Sequence, residues 1–232
     1  MDTPTLFDQI VRRIFSGEFE PGARIREESL AAWLGVSRVP VRESLAKMAA
    51  QGMLINGEKG HGMRLRRYTL DEVRHLYEYR ELLEGGAARA AATSGTSTDL
   101  ARMEIVCEQA EQLIGQGRLA EWADLDMQFH LALALAGRND RIVPALKTLV
   151  VECGYLFFVV PNPLCRGTDG NPAEEAAAIQ RSAHEKHREL LELIRHKLPD
   201  EAEAFARQTM RDSLTEATKK IVRLKLDRAL GA

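Results

Sequence analysis

The spacing of apolar residues along the chain predicts a protein built mainly from amphipathic α-helices. Leu6, Ile10 and Ile14 recur at i, i+4 and i+8, which places them on one face of a first helix. A second, short helix is expected over residues 26–34, and Gly35 follows it where a helix C terminus favours a left-handed residue. The chain is therefore expected to begin with two short helices.

A third helix is predicted almost immediately after the second. Ser37 is a good N-cap, and Pro40 falls in the first turn, where its missing N–H does no harm. Val41, Leu45 and Met48 then form the inward stripe. Two helices joined by so short a connection are typical of a helix-turn-helix motif.

Two short apolar runs come next, over residues 53–55 and 63–65, and the segment between them is rich in glycine. This pattern predicts a β-hairpin with a flexible tip. Three helices followed by a hairpin predict a winged helix-turn-helix domain over residues 1–70, with the hairpin as its wing.

The remainder of the chain, residues 71–232, shows helical periodicity and no strand-like alternation. Thr69 and Glu72 have the spacing of a capping box at the start of a long helix. The expected fold class is mainly α, with a C-terminal all-α helical bundle after the winged helix. Further helices are predicted over residues 97–116 and 119–136, from residue 139 onward, and after the capping residues Asn171 and Asp200.

The distribution of charge separates the two parts of the chain. Of the 232 residues, 45% are hydrophobic and 28% are charged, so the chain can build a core and is not expected to be disordered. The formal net charge is -2, but residues 1–70 carry +3 and residues 71–232 carry −5. Positive charge is concentrated over residues 36–67, which hold seven Lys and Arg against two Glu. Charge alone leaves open a solvated face or a nucleic-acid surface.

Membrane and secreted proteins are not expected from this sequence. The longest apolar stretch, around residues 154–160, is far shorter than the ~20 residues that span a bilayer, and the N terminus lacks the pattern of a signal peptide. Cys107, Cys153 and Cys165 are odd in number and widely spaced, which indicates neither a disulfide framework nor a thiolate zinc site. We therefore expect a cytoplasmic protein with no membrane partner.

The third helix carries the candidate DNA-binding chemistry. Arg38 and Arg42 are four residues apart near its N-terminal end, so both guanidinium groups project from one face. Arginine suits this position because its planar fork can donate two hydrogen bonds to guanine O6 and N7, or to a phosphate. Lys47 lies further along the helix and fits a phosphate contact better.

The helical part carries an inward cation. Arg80 lies on the apolar stripe of the first long helix and must therefore have a partner. One interpretation is a structural ion pair with Glu84, one turn later, and the other is a clamp for the carboxylate of a small acidic ligand. The sequence pattern leaves both open.

A second inward cluster is expected on two other helices. Asp126 and His130 are four residues apart on a stripe of apolar residues, and His187 lies on the stripe of a later helix. An inward histidine is usually a satisfied core residue. An inward carboxylate with two inward histidines can also converge on a divalent metal, so both interpretations stand.

The N-terminal motifs resemble a known family. The run 28–45, with its core Ser37-Arg38-Val39-Pro40-Val41-Arg42-Glu43, is followed by Gly52-Met53-Leu54 and Gly60-His61-Gly62 and is similar to the winged helix of GntR-family bacterial transcription regulators. The resemblance implies that the family's DNA-contacting positions are here Ser37, Arg38, Pro40, Arg42, His61 and Gly62.

The C-terminal motifs at residues 126–130, 137–139 and 187–191 resemble the effector-binding FCD domain of the FadR subfamily. This resemblance implies a divalent metal, such as zinc or nickel, on Asp126, His130 and His187, with a small carboxylate in the open coordination positions. It also implies that Arg80 clamps the ligand. The position of the family's third histidine is Ser213 in this chain, and serine is a poor metal ligand, which leaves His184 as a conceivable substitute.

The function expected from these motifs is that of a ligand-responsive transcription regulator and not of an enzyme. A homodimer would bind a palindromic double-stranded operator, and a small organic acid would release or modulate repression. One alternative is a metal-dependent hydrolase that uses Asp126, His130 and His187, although no general base is evident. Another is a DNA-binding protein whose helical domain is purely structural, which predicts no pocket behind Arg80.

Overall fold

A computed structural model describes residues 5–15, 19, 21–50, 52–57, 62–158 and 172–230 of the chain. Within this part, helices and a small antiparallel sheet follow the predicted order. The elements are α1 (Leu6–Phe15), β1 (Arg24–Ile25), α2 (Glu27–Leu34), α3 (Arg38–Ala50), β2 (Leu54–Asn56), β3 (Met63–Leu65), α4 (Leu70–Ser94), α5 (Ser97–Leu113), α6 (Leu119–Ala136), α7 (Ile142–Phe158), α8 (Pro172–Arg195) and α9 (Pro199–Leu230).

The winged helix forms around the short connection between α2 and α3. Gly35 has φ 66° and ends α2 by donating its N–H to the Ala31 carbonyl, so the left-handed residue predicted there is confirmed. Val41, Leu45 and Met48 are fully buried on the inner face of α3, as the stripe predicted.

The wing contains one strand more than the sequence indicated. The sheet has the order β1-β3-β2 and both pairings are antiparallel. In β2–β3, Leu54 pairs with Leu65 and Asn56 with Met63, so β2 begins one residue later than predicted. The added strand β1 has only two residues, too few to show an alternating pattern, and forms because the backbone of β3 is available beside it.

The helical part of the described chain confirms the all-α prediction. Thr69 and Glu72 form the predicted capping box at the start of α4. α6 spans the predicted residues, whereas α5 ends at Leu113, three residues earlier than predicted. α4 packs along α9, the longest helix, and α5, α6, α7 and α8 complete the bundle. No helix of the described part is long and apolar enough to cross a membrane.

The winged helix packs directly on the bundle. Ile10 and Val11 of α1 belong to the same buried apolar cluster as Leu113 of α5 and Trp122 of α6. Burial of this surface from both parts stabilises their docking. The winged helix and the helical bundle are therefore in direct physical contact through α6.

Several predicted features lie outside the described residues. These are the wing residue His61, the cysteine Cys165 and the helix cap at Asn171. The other two cysteines, Cys107 and Cys153, are buried and free.

Candidate functional site

The exposed face of α3 carries both predicted arginines. Ser37 immediately precedes the helix, and Pro40 lies in its first turn. The side chains of Arg38 and Arg42 are 55% and 61% exposed, so both guanidinium groups reach solvent at the N-terminal end. This is the end of a recognition helix that approaches base edges in the major groove.

Carboxylates of α2 hold the two arginines in place. Arg38 Nη1 lies 2.9 Å from Glu28 Oε1 and its Nη2 lies 3.5 Å from Glu27 Oε2. Arg42 Nε lies 3.4 Å from the same Glu27 oxygen. The sequence did not indicate a role for these two glutamates. They lie within ion-pair distance of the arginines, so a DNA phosphate or base must compete with them for the guanidinium groups.

Two other residues predicted to contact DNA, Lys47 and Gly62, do not lie beside the two arginines. Lys47 is nine residues from Arg38, about two and a half turns, and therefore lies on the opposite side of α3. Its ammonium nitrogen is 4.2 Å from the centre of the Phe7 ring on α1. Gly62 is exposed with φ 70° and its carbonyl accepts from the Gly57 N–H across the hairpin.

A cavity of about 380 Å³ opens in the helical bundle. Its walls come from α4, α6, α7, α8 and α9. Arg80, Asp126, His130, His187 and Ser213 all line it, so the structure brings together the residues that the sequence selected on four separate helices.

The metal-ligand candidates are close neighbours. One donor atom from each of Asp126, His130 and His187 lies within 4.8 Å of the others. His187 Nε2 is 3.5 Å from Asp126 Oδ1, and the two imidazole rings are nearly perpendicular with centroids 5.0 Å apart. Phe129 stacks on His187 with centroids 4.0 Å apart and so fixes the plane of that ring. A carboxylate and two imidazoles within this distance form a suitable donor set for a divalent cation.

Glu84 links the inward arginine to this cluster. Its carboxylate is 1% exposed, Oε1 accepts from Arg80 Nε at 2.5 Å, and Oε2 lies 3.0 Å from His130 Nδ1. The structural ion pair is therefore present, and Arg80 also lines the cavity. With Nδ1 beside this carboxylate, Nε2 is the ring nitrogen of His130 that would be available to coordinate a metal. The sequence indicated the first contact of Glu84 but not the second.

Burial and neighbouring charge set the protonation of the cluster. Burial opposes ionisation of Glu84, but Arg80 and His130 outweigh it and lower the pKa of Glu84 to about 2. Burial raises the pKa of Asp126. Burial, followed by the proximity of His130, lowers the pKa of His187 well below its usual range. His187 is consequently neutral near pH 7, the form in which histidine binds a metal.

The fourth ligand position, where the family has a third histidine, is occupied by a serine in this cavity. Ser213 lines the cavity, and its hydroxyl donates to the Thr209 carbonyl at 2.9 Å. His184 is not brought to the cluster, because its Nε2 faces Glu111 Oε2 at 4.0 Å and the residue does not line the cavity. The donors that the cavity offers a metal at these positions are thus Asp126, His130 and His187.

Comparisons with known proteins give a family match for each of the two parts of the chain. The family described as bacterial regulatory proteins, gntR family, matches residues 3–64, and the FCD domain matches residues 75–212. The Nta operon transcriptional regulator of Aminobacter aminovorans is 31% identical over 82% of each chain. The chain belongs to the GntR family. The Glc operon transcriptional activator of Escherichia coli K12, another similar protein, is 27% identical over 88% of this chain and 84% of its own.

A solved structure supports the fold of this GntR-family protein. A GntR-type transcriptional regulator from Rhodococcus sp. RHA1 superposes with a TM-score of 0.70 at 22% identity, covering 90% of this chain and 94% of the other. The relatives are transcription regulators, so the hydrolase alternative is not favoured. The protein is a DNA-binding transcription regulator with an FCD effector-binding domain.

Proposed function

We propose that this protein is a regulator of the FadR subfamily that binds a palindromic double-stranded operator as a homodimer and responds to a small organic acid. The cavity that joins Arg80 to the Asp126, His130 and His187 cluster is the observation that carries this proposal. It also argues against a purely structural helical domain. The ligand can change operator affinity only by binding more tightly to one arrangement of the two winged helices than to the other. Because its partner is the chromosome, we place the protein in the cytoplasm.

The charges at the cavity favour a carboxylate. Arginine carries five N–H donors, and Arg80 uses some of them on Glu84 and Cys153. Lys186 and Lys220 also line the cavity and add positive charge, while Glu175 and Glu216 supply acceptors at the same walls. These groups match a small acid that also carries hydroxyl groups. Its carboxylate would bind the guanidinium and the two ammonium groups, and its hydroxyls would donate to the glutamates.

A divalent cation such as zinc or nickel is proposed as the second component. Asp126, His130 Nε2 and His187 would hold it, and such a cation would attract the carboxylate of the ligand through its open coordination positions. With Ser213 at the fourth position, this chain provides three donors, so more of the coordination sphere is left to water or to the ligand than in a site with four.

The Ser213→His variant is expected to bind Zn²⁺ at least about tenfold more tightly than wild type, because it restores a fourth donor at the cavity wall. Isothermal titration of Zn²⁺ into chelator-treated protein measures the change. Thr215→His, two residues later on an exposed part of α9, is the matched control and should leave the affinity unchanged. Loss of Zn²⁺ binding on His130→Ala completes the assignment; equal binding by wild type and His130→Ala would contradict it.

Dimerisation through α4 is supported by its exposed apolar side chains. Tyr79 and Leu82 are 47% and 58% exposed and three residues apart, so they lie on one face. Beside them, Leu83 packs on a buried cluster with Leu146 and Val150 of α7. A second copy placed on this face would cover these side chains. One winged helix reads only a half-site, so a dimer also matches the palindromic operator.

A thermal-shift screen of small carboxylates tests the effector proposal. A true effector should raise the melting temperature, since it binds the folded state alone. Arg80→Lys keeps a positive charge beside Glu84 but removes the planar fork, so we expect the hit to lose affinity by about tenfold or more. Arg141→Lys, an exposed position outside the cavity, is the control. A hit that Arg80→Lys binds as tightly as wild type would show that the acid binds elsewhere.

A further inference from the structure

The winged helix contacts the cavity wall through an apolar residue. Trp122 on α6 lines the cavity and is 1% exposed. It also belongs to the buried cluster that contains Ile10 and Val11 of α1. Apolar contact is favourable but not directional, so it holds the winged helix against the bundle without fixing its orientation.

A buried carboxylate provides the directional contact. Glu152 lies on α7 and is 9% exposed. The Tyr68 hydroxyl donates to Glu152 Oε1 at 2.6 Å, and Arg66 Nη1 donates to the same oxygen at 3.5 Å. Arg66 and Tyr68 belong to the connection between β3 and α4, which is the covalent link between the winged helix and the bundle.

The same carboxylate lies against the backbone that follows the recognition helix. The Tyr68 hydroxyl is 3.1 Å from the Gly52 carbonyl oxygen. A Cβ atom added at Gly52 would lie 2.8 Å from Glu152 Oε1, so only a glycine lets the carboxylate approach this closely. Glu152 therefore contacts both the segment that leaves α3 and the segment that leaves the wing.

The two residues that follow Glu152 on α7 line the cavity. Cys153 and Gly154 line the cavity, and they follow Glu152 directly in the helix. Successive residues of a helix are about 100° apart, so one turn of α7 faces the cavity on one side and the winged helix on another. Because a helix moves as a rigid element, a displacement of this turn moves both contacts.

We propose that Glu152, together with Tyr68 and Arg66, is a latch that fixes the orientation of the winged helix on the bundle at the helix that forms the cavity wall. The link from the cavity to operator affinity rests on the proposed function, whereas the latch itself does not. The latch is engaged when Glu152 contacts Tyr68 and Arg66 and released when it does not, and the engaged form is favoured because a buried carboxylate without partners is unfavourable. A ligand that displaces α7 would shift the balance between them.

Hydrogen exchange of the full-length, ligand-free and metal-free protein tests the latch. Tyr68→Phe and Glu152→Gln each remove one part of the contact with little change in size. Each is expected to speed exchange of the amides in residues 52–57 and 62–69 by about tenfold, the effect of removing one hydrogen bond to a charged group. The effect of the double variant should be smaller than the two single effects combined, because both variants weaken the same hydrogen bond between Tyr68 and Glu152.

Quenching of Trp122 fluorescence by acrylamide gives a second measurement. In a Trp33→Phe background Trp122 is the remaining tryptophan, since the chain has two. Release of the winged helix uncovers it, so quenching should increase several-fold in the Tyr68→Phe and Glu152→Gln variants. Asp200→Asn, which removes an exposed ion pair with Arg89 elsewhere on the bundle, should change neither measurement.

Gly52→Ala offers an independent variant with its own control. Gly52 and Gly35 both have positive φ, but the space beside Gly35 is open, whereas a methyl group at Gly52 displaces Glu152. Gly52→Ala should therefore speed exchange over residues 62–69 and Gly35→Ala should not. Wild-type exchange in both Tyr68→Phe and Glu152→Gln, or additive effects in the double variant, would overturn the latch. Neither outcome depends on an effector or a metal.

Discussion

Operator affinity is expected to fall by at least about 30-fold when Arg42 is replaced with alanine, because each bidentate contact with a base contributes about 1–3 kcal/mol and a dimer loses two of them. Arg42 is exposed at the N-terminal end of α3 and is not one of the buried core residues. The fold should therefore survive the change. An operator selected from random duplex DNA and titrated by fluorescence anisotropy at one fixed salt concentration provides the measurement.

The same titration separates base recognition from charge. If Arg42 binds a base, its removal weakens binding to the selected operator more than binding to a scrambled duplex; if it binds a phosphate, both weaken equally. Arg118→Ala is the matched control, since Arg118 is also half exposed and paired with a glutamate, Glu121, but lies in the bundle. Its affinity should stay within about twofold of wild type. Undiminished specific binding by Arg42→Ala would exclude α3 as the recognition helix.

Two copies of the chain should bind each operator. Stoichiometric titration with the selected duplex measures this ratio, and a symmetric operator sequence should emerge from the selection. A ratio of one chain per duplex would contradict the expectation that Arg42→Ala removes two base contacts from each complex.

The N-terminal fold could be predicted from the sequence because its signals are local. A left-handed glycine at 35, a proline in the first turn of α3 and an apolar stripe all act within a few residues. The pairing of Glu27 with Arg38 and Arg42 could not be predicted, since it depends on the angle between α2 and α3. The position of Lys47 could have been found from helical periodicity, which places it opposite Arg38.

The candidate site was predictable only in part, for the same reason. Asp126 and His130 share a helix face, so their proximity follows from their spacing. The approach of His187 on α8 depends on packing, and the inward stripe indicated only that it would be buried. The contacts of Glu84 with His130 and of Glu152 with Tyr68 could not be predicted. The two residues of each pair are distant in the sequence and come close only in the folded protein.

Replacing Glu84 with alanine is expected to lower the free energy of unfolding by about 3–5 kcal/mol, the usual effect of removing one partner from a buried ion pair. Arg80 is 6% exposed and its pKa is raised against the effect of burial by the charge of Glu84. Without that carboxylate the guanidinium stays charged in a buried position with its main counter-charge gone. Urea denaturation in the presence of a chelator measures the loss without a contribution from bound metal.

Two further variants show whether the buried charge is the cause. Glu78→Ala removes a carboxylate from the same helix, but its partner Arg74 is half exposed, so the change should be much smaller than that of Glu84→Ala. Replacing Arg80 with methionine and Glu84 with leucine together removes both charges and should recover most of the lost stability. The recovered protein should still bind Zn²⁺ about 10–100-fold more weakly than wild type, because His130 has lost the carboxylate that orients it. Equal destabilisation by Glu84→Ala and by the double variant would instead attribute the effect to packing, and the Arg80–Glu84–His130 network would then have no electrostatic role in the fold.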